Sequence, residues 1–288
     1  MSALARPRRD RFRRALRWTP RYLILIPCAI LFLIPFYILF KSAGMTQAEI
    51  LGLKWTWFAK DPQYLKNLQV LLADPVAPVI GGLVNSFIVS TITVVGSLVF
   101  ASLAGYALAR IPSRWSRPML FLVVITLMIP SATSFLPLYV IVADLGWVNT
   151  FQGLIVPGLF SVFNVFLFRQ HFLGFPREIE EAGIIDGLTQ WGVFRRLVVP
   201  TSHGIFLSLG TLTFLASWNS FLWPLVVGTS SSKWTIQVVL STFITAQIIN
   251  LPSLFMGALV AIIPILILFV FLQRYLVDGF KRSGISGT

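Results

Sequence analysis

The sequence predicts an all-α membrane protein with six transmembrane helices, both termini in the cytoplasm, and a short cytoplasmic helical hairpin between the fourth and fifth helices. The prediction depends on composition, on six apolar stretches and on the placement of Lys and Arg. Hydrophobic residues make up 56% of the 288 residues and charged residues only 11%, whereas water-soluble domains carry about 25% charged residues. A chain of this composition is solvated mainly by lipid.

Six stretches are long and apolar enough to cross a hydrocarbon core about 30 Å thick, which takes roughly 20 helical residues. Unpaired backbone groups are costly in lipid, so each stretch is expected to be helical, with the polar residues between the stretches. The six stretches cover about residues 22–40, 82–109, 118–141, 152–170, 202–228 and 252–274.

The basic residues predict the orientation. Eight arginines lie within residues 1–21, and only Lys41, Lys54, Lys60, Lys66 and Lys233 fall on the opposite side of the membrane. Because cytoplasmic loops are enriched in Lys and Arg, both termini are predicted to be cytoplasmic. The other basic residues on that side are Arg110, Arg114, Arg117, Arg169, Arg177, Arg195, Arg196, Arg274, Lys281 and Arg282.

Two regions follow from this pattern: a basic cytoplasmic arm, residues 1–21, and a single transmembrane domain, residues 22–288. The arm directly precedes a span, so we expect it to bind anionic lipid headgroups and not nucleic acid.

Several classes of activity are disfavoured. No Asp or Glu lies within the six stretches, although ion-coupled carriers usually need ionisable groups at that depth. No lysine follows a glycine, so the chain has no phosphate-binding loop of its own. His171, His203 and Cys28 form no metal-binding spacing. The sequence therefore predicts no enzyme, cofactor or metal site within this chain.

The polar residues inside the spans predict a path for a polar solute. Asn85 and Asn164 are expected either to join helices or to face a wet path. In LASWNSFLWPL (215–225), the residues Trp218, Asn219, Phe221 and Trp223 combine aromatic faces with an amide, which suits a sugar. Pro224 is expected to interrupt this helix, and Pro130 and Pro137 to break the third span, as in membrane helices that line a cavity.

The fourth cytoplasmic segment, EEAGIIDGLTQWGVFRRLVVP (180–200), contains an acidic cluster in a chain with only 10 acids. It predicts a hairpin over residues 176–199: a first helix that starts near Pro176 and stops at Gly187, then a second from Thr189 to Val199, ended by Pro200. Two interpretations remain open. The acids either only complement the helix dipole, or they bind a partner.

This segment resembles the signature of the inner-membrane permease subunits of binding-protein-dependent ABC importers. The signature is E-A-A, three residues, G, nine residues, I, one residue, L-P. The chain matches its spacing with Glu181, Ala182, Gly183, Gly187, Leu197, Val199 and Pro200, where Gly183, Leu197 and Val199 depart from the family residues. Residues 145–155 (L-G-x-x-N-T-x-x-G-L-I) and 218–225 (W-N-x-F-x-W-P-L) resemble the maltose-type carbohydrate-uptake branch.

The resemblance implies that the hairpin is a coupling helix that docks on a separate ATPase subunit. Glu181 would be the principal coupling residue, Glu180 and Asp186 would reinforce the contact, Ala182 and Gly183 would allow close approach, and Gly187 would shape the turn. Two ATPase subunits would bind ATP and Mg, a second and different permease chain would complete the path, and an extracellular binding protein would contact residues 41–81 and 229–250. The location implied is a bacterial inner membrane.

The implied solute is a carbohydrate, of disaccharide or oligosaccharide size. Other solutes stay open within the same class: a glycerol phosphodiester, an amino acid or a peptide. Two other classes also stay open, a secondary carrier and a membrane assembly or signalling protein whose hairpin binds a cytoplasmic partner.

Overall fold

The computed structural model describes residues 8–52, 54–245 and 249–284, without the side chains of 8–21, 272 and 274–284. The basic side chains of the arm within residues 1–21 and those of the tail therefore lie outside the described residues. In the described ranges the chain is helical and forms no β-strand beyond an isolated bridge between Ile244 and Ile249. The all-α prediction is confirmed.

The α-helices are, in chain order, α1 Arg8–Ala43, α2 Gln47–Ile50, α3 Tyr64–Ala73, α4 Val79–Arg110, α5 Ser116–Met128, α6 Ser131–Asp144, α7 Phe151–Ile155, α8 Val162–Leu173, α9 Arg177–Ile185, α10 Gln190–Val193, α11 Val199–Thr201, α12 His203–Trp218, α13 Leu222–Val227, α14 Ile236–Ser241 and α15 Leu251–Gly284. Short 3₁₀ turns cover Val156–Leu159 and Ser231–Lys233, and a π-helical turn covers Phe194–Val198.

Four helical segments are long and apolar enough to cross a membrane: Tyr22–Ala43, Val79–Arg110, Phe151–Leu173 and Leu251–Phe271. Two more candidates are bent pairs, α5 with α6 at 104° and the α10–α11 segment with α12 at 75°. The described part of the chain thus has four candidate spans, or up to six if each bent pair is one span. Each of the six predicted stretches overlaps one of these segments, but residues 219–228 of the fifth stretch lie beyond α12.

Proline breaks the third span at one of the two predicted places. The bend between α5 and α6 lies at Ile129 and Pro130, whereas Pro137 lies inside α6. Pro137 does not end its helix, so the sequence alone assigned one break too many.

The prediction that Pro224 interrupts the fifth span is wrong in position. Helix α12 already ends at Trp218, with Asn219 as its C-cap, and Pro224 is the third residue of the new helix α13. Proline is tolerated there because the first-turn N–H groups of a helix have no intrahelical partner.

The prediction that Pro200 ends the second hairpin helix is also wrong. Thr189 caps α10 as predicted, its hydroxyl accepting a hydrogen bond from the Gly192 N–H at 3.2 Å. A π-helical turn follows, in which the Val199 N–H bonds the Phe194 carbonyl, and Pro200 then lies in the first turn of α11. The chain remains helical because a first-turn proline removes no intrahelical bond.

The chain divides into two compact units, and the first comprises residues 1–71 and 250–259. Thr46 and Glu49 form a capping box at the start of α2. Asn67 Nδ2 donates to the carbonyls of Ala43 and Met45 at 2.9 and 3.1 Å, which joins α3 to the end of α1. From Tyr22 to Phe36 the side chains of α1 are largely exposed.

The second unit comprises residues 72–249 and 260–288, with α4 as its central helix, packed against α8, α12 and α14. Gly105 makes the crossing with α8 close: a Cβ there would lie 2.7 Å from Phe168 Cβ and 2.9 Å from the Arg169 backbone nitrogen. One buried cluster joins α4 and α8 to the hairpin and α12, and includes Tyr106, Phe168, Phe172 and Phe194.

Both amides expected to join helices do so within this unit. Asn164 Nδ2 donates to Ser97 Oγ and Thr213 Oγ1, both at 3.0 Å, which ties α8 to α4 and α12. Asn85 Nδ2 donates to the carbonyls of Ser232 and Trp234 at 3.0 and 2.9 Å. Neither amide is left for a wet path, since both residues are buried.

Candidate functional site

The 176–199 hairpin is the first candidate site, and its first helix, α9, ends in a tight turn at Gly187. Gly187 has φ of +85°, a conformation that glycine adopts without strain. The Leu188 N–H donates to the Gly183 carbonyl at 2.9 Å and the Gly187 N–H to the Ile184 carbonyl at 3.0 Å. This is the Schellman pattern of helix termination, and it agrees with the predicted stop.

Gly183 is the inward-facing residue of α9. It is buried, and a Cβ at this position would lie 2.6 Å from Leu197 Cδ1 and 3.3 Å from Val193 Cγ2. Glycine here lets α9 lie directly against the second half of the hairpin. The close approach that Gly183 allows in the described chain is therefore internal to the hairpin.

Glu180 also faces the chain's own bundle, where it meets Arg110 at the end of α4. Arg110 Nε lies 3.4 Å from Glu180 Oε1, and the two side chains are 6% and 13% exposed, respectively. An Arg110 Nη2–H also donates to the Phe175 carbonyl just before α9. Arg110 was a missed functional candidate, because in the sequence it is only one of several basic residues that follow a span.

Burial raises the pKa of the Glu180 carboxyl above its usual range, and the nearby charges of Arg110 and Arg177 only partly offset this rise. Desolvation disfavours the ionised form of a carboxyl, while an adjacent guanidinium favours it. Glu180 is therefore held in place at some electrostatic cost.

The opposite face of α9 is open. Glu178, Glu181 and Ala182 are exposed, and so is Ile185, which at 86% is the most exposed large apolar side chain among the described residues. Glu181 and Ile185 are four residues apart and so share a helix face. Trp191, 57% exposed, adds a second apolar side chain to the hairpin surface. Asp186 and Gly187 are exposed at the turn.

The segment between α12 and α13 is the second candidate site, and the structure separates its four predicted residues into two pairs. Trp218 is only 1% exposed and stacks on Phe214 with 5.5 Å between ring centroids. Trp223 Nε1 donates to the Gly153 carbonyl at 3.0 Å. Asn219 and Phe221, in contrast, are exposed at the break itself. The tryptophans pack against the chain while the amide and the phenyl ring remain accessible.

Asn149 is a second residue that sequence reasoning missed, although it lies in the L-G-x-x-N-T motif. It has φ of +60°, and its Oδ1 accepts hydrogen bonds from the Ser230 N–H and Oγ–H, both at 3.0 Å. The Asn149 N–H donates to the Val227 carbonyl at 2.7 Å. The motif is therefore hydrogen-bonded to the end of α13 and to the segment that follows it. Asparagine in a turn between two helices was the available signal.

Among the described residues, no group of three or more His, Cys, Asp or Glu side chains could hold a metal ion.

A family described as the inner-membrane component of binding-protein-dependent transport systems matches residues 97–282. An arabinooligosaccharide transport system permease protein, AraQ, of Halalkalibacterium halodurans is 36% identical over 236 residues, which cover 82% of this chain and 76% of AraQ. The lactose transport system permease protein LacG of Rhizobium radiobacter is 28% identical over 271 residues, which cover 94% and 97%.

A third relative, the sn-glycerol-3-phosphate transport system permease protein UgpE of Brucella abortus, is 30% identical over 271 residues, covering 91% of this chain and 95% of UgpE. Among solved structures, a chain of a bacterial ABC transporter involved in the import of the acidic polysaccharide alginate superposes with a TM-score of 0.78 at 21% identity. The superposition covers 95% of this chain and 99% of that one, and it shows a shared fold.

Proposed function

Because this chain belongs to the family of inner-membrane components of binding-protein-dependent transport systems, we propose that it is the transmembrane subunit of an ATP-driven importer of a disaccharide or oligosaccharide. Its relatives AraQ and LacG are named for transport of such sugars. The chain itself is the membrane component, and ATP and Mg bind to two partner ATPase subunits, which hydrolyse the nucleotide.

The topology proposed has six spans with both termini in the cytoplasm, each bent pair counting as one span. Residues 1–21 form the basic arm at the inner headgroups and residues 22–288 act as one permease domain. A second, different permease chain completes the path, and an extracellular binding protein delivers the solute. The placement of Lys and Arg supports this orientation.

Coupling to the ATPase is proposed to occur through the outward face of the 176–199 hairpin. The single observation that carries the proposal is the joint exposure of Glu181 and Ile185 on one face of α9. An acid beside a large exposed apolar side chain, outside the spans, suits a protein partner with a basic residue at the rim of an apolar cleft. Ala182, Asp186 and Gly187 border this face.

For the translocation path, Asn219 and Phe221 are proposed to contact the solute, with Trp218 and Trp223 as the rigid support behind them. A broken helix with accessible polar groups is tolerated in a membrane only where it lines a cavity or packs within protein. Residues 215–225 carry no charge, which favours a neutral sugar.

UgpE gives a specific reason to test a second candidate, sn-glycerol 3-phosphate. A phosphate group is normally bound by Arg, Lys or backbone N–H groups, and residues 215–225 contain no basic side chain. Fluorescence titration of the cognate binding protein with arabinotriose, lactose, maltotriose and sn-glycerol 3-phosphate distinguishes the candidates. Binding of the phosphate ester alone would remove the carbohydrate assignment.

The coupling proposal is tested by Glu181→Lys. We expect the variant chain to insert normally but to lose co-purification of the ATPase subunits and solute uptake, because a lysine would face the partner's basic residue without compensation. Asp144→Lys, the same charge change at an exposed acid outside the hairpin, is the matched control and should retain both. Normal ATPase binding by Glu181→Lys would contradict the coupling role.

A further inference from the structure

Arg110 connects two elements that are far apart in sequence. Its guanidinium contacts the Glu180 carboxylate on α9 and donates to the Phe175 carbonyl in the turn before α9. A planar guanidinium with several N–H donors can make both contacts at once, which a lysine ammonium does less well. The C-terminal end of α4 is thereby joined both to α9 and to the residue that precedes the hairpin.

Aromatic packing joins the same two elements one turn away. Tyr106 on α4 lies 4.9 Å from Phe194 of the hairpin and 5.6 Å from Phe172 of α8, between ring centroids. Tyr106 is 4% exposed and Phe194 is 5% exposed. Because packed interiors deform little, this contact resists sliding of the hairpin along α4, and the ion pair resists its rotation away from α4.

The two neighbouring acids of α9 consequently point to different partners. Glu180 is turned to Arg110, while Glu181 is exposed. An acid that is occupied within the chain is unavailable to reinforce a contact with another subunit. This separates Glu180 from the docking face on which Glu181 and Ile185 lie.

We infer that Arg110 and Glu180 form a latch that makes the hairpin and the C-terminal end of α4 move as one body. Glu180 is then a positioning residue: it holds α9 so that Glu181 faces outward, and it passes displacement of the hairpin to α4. The transmission part of this inference rests on the proposed coupling to an ATPase, whereas the latch itself is a property of the chain alone.

The latch is tested first by hydrogen exchange on the full chain in lipid nanodiscs. In Arg110→Ala and Glu180→Ala, we expect the amides of the hairpin to exchange about 10- to 100-fold faster, since removal of one member of a mostly buried ion pair leaves the other uncompensated. Glu178→Ala, which removes an exposed acid from the same helix, should leave exchange unchanged. The charge-swapped double variant, Arg110→Glu with Glu180→Arg, should restore protection of the hairpin amides.

Equal rates of hydrogen exchange in Glu180→Ala and Glu178→Ala would overturn the latch. A charge-swapped double variant that inserts correctly but does not restore protection would also overturn it. If the charge-swapped double variant does not insert, Arg110→Lys is measured instead. Lysine keeps the charge but has one nitrogen to share between Glu180 and the Phe175 carbonyl. The hairpin amides of Arg110→Lys should therefore exchange at a rate between those of the unchanged chain and Arg110→Ala. Exchange as fast as in Arg110→Ala would then overturn the latch.

Transmission is tested on the chain purified with its ATPase subunits, with Cys28 replaced by Ser and spin labels at Ile111 and Gln190, both exposed. In the otherwise unchanged chain we expect one narrow distance distribution that ATP with vanadate leaves in place, because the labels move together. In Glu180→Ala the distribution should broaden and its mean should shift on addition of ATP and vanadate.

A shift of the mean spin-label distance in the unchanged chain on addition of ATP and vanadate would overturn the transmission part of the inference. Failure of the ATPase subunits to co-purify with the unchanged chain would instead contradict the proposed function, and the exchange measurement would still decide the latch.

Discussion

At the scale of single residues, Glu180 and Glu181 show how neighbours of identical chemistry can differ in environment. Glu180 is mostly buried against Arg110, whereas Glu181 is exposed one position later. A helix advances about 100° per residue, so adjacent side chains point in different directions. The sequence left open whether the acids only complement the helix dipole, and the family resemblance made Glu181 the principal coupling residue with Glu180 as reinforcement; neither could show that Glu180 pairs with Arg110 of α4.

The raised pKa of Glu180 predicts a pH dependence of hairpin stability. A carboxyl whose folded-state pKa lies above its usual value of 4.5 stabilises the folded state fully below that value, and this contribution is lost as the pH rises through the raised pKa. The charged or titratable groups around Glu180 are Tyr106, Arg110, Arg177 and Glu181. Protection of the hairpin amides, corrected for intrinsic exchange, should therefore fall as the pH rises above 4.5.

Glu180→Gln should abolish this fall, because the amide does not titrate but still offers an oxygen to Arg110. Glu178→Gln should retain it. A pH profile in Glu180→Gln that is identical to that of the unchanged chain would assign the dependence to another group.

Gly187→Ala should destabilise the hairpin by about 1–2 kcal/mol, since an L-residue with a side chain is strained in the left-handed region. Gly183→Ala is the informative comparison. Alanine gains up to about 1 kcal/mol of helix propensity there, which offsets the 2.6 Å approach of its Cβ to the movable end of Leu197. The free energy of opening, measured by hydrogen exchange, should therefore change less for Gly183→Ala than for Gly187→Ala.

At the scale of elements, sequence patterns predicted the helices well and their interruptions poorly. All six apolar stretches overlap candidate membrane helices, because long apolar runs leave few alternatives in lipid. Pro224 and Pro200 were expected to end helices, yet each lies in the first turn of one. Proline marks a helix start as readily as an end, and the π-helical turn before Pro200 has no signature in the sequence.

Asn149→Ala should release the segment that follows α13. The substitution removes the acceptor for two hydrogen bonds from Ser230, worth about 1 kcal/mol each, and places alanine at a positive φ. Faster trypsin cleavage after Lys233 in nanodiscs measures the release. Asn149→Asp keeps an acceptor oxygen and should cleave at the rate of the unchanged chain; equal rates for Asn149→Ala would show that other contacts hold the segment.

The difference between local sequence patterns and contacts made by helix packing explains what could be predicted of the candidate sites. Glu181 and Gly187 were predicted from the spacing of one local motif, and the structure places Glu181 at an exposed position of α9 and Gly187 in the turn that ends it. Arg110, which precedes Glu180 by 70 positions, and the Asn149 contact to Ser230 depend on how helices pack, so no local pattern contains them. The division of residues 218–223 into packed tryptophans and an accessible pair likewise depends on neighbours such as Phe214 and Gly153.

At the scale of the whole molecule, the orientation remains open to a direct test. We expect a cysteine at Ser113 to react with a membrane-impermeant maleimide only when the reagent has access to the cytoplasm, and a cysteine at Ser231 to react from the outside. Both positions are exposed. The chain with Cys28 alone is the control and should react from neither side, because Cys28 lies within an apolar span. Labelling of Ser113→Cys from outside would invert the proposed topology.

If α4 turned about its close crossing with α8 at Gly105, its two ends would lie at unequal distances from the pivot. At 1.5 Å per residue, Arg110 lies about 7.5 Å along the helix axis from the crossing, and Val79 lies about 40 Å away on the other side. A rigid helix that turned about this point would enlarge a displacement applied at Arg110 roughly fivefold at its far end. The distances from a third spin label outside α4 to labels at Ile80 and at Ile111, measured one at a time, would then change by unequal amounts when ATP and vanadate are added. Equal changes would rule out a pivot at Gly105.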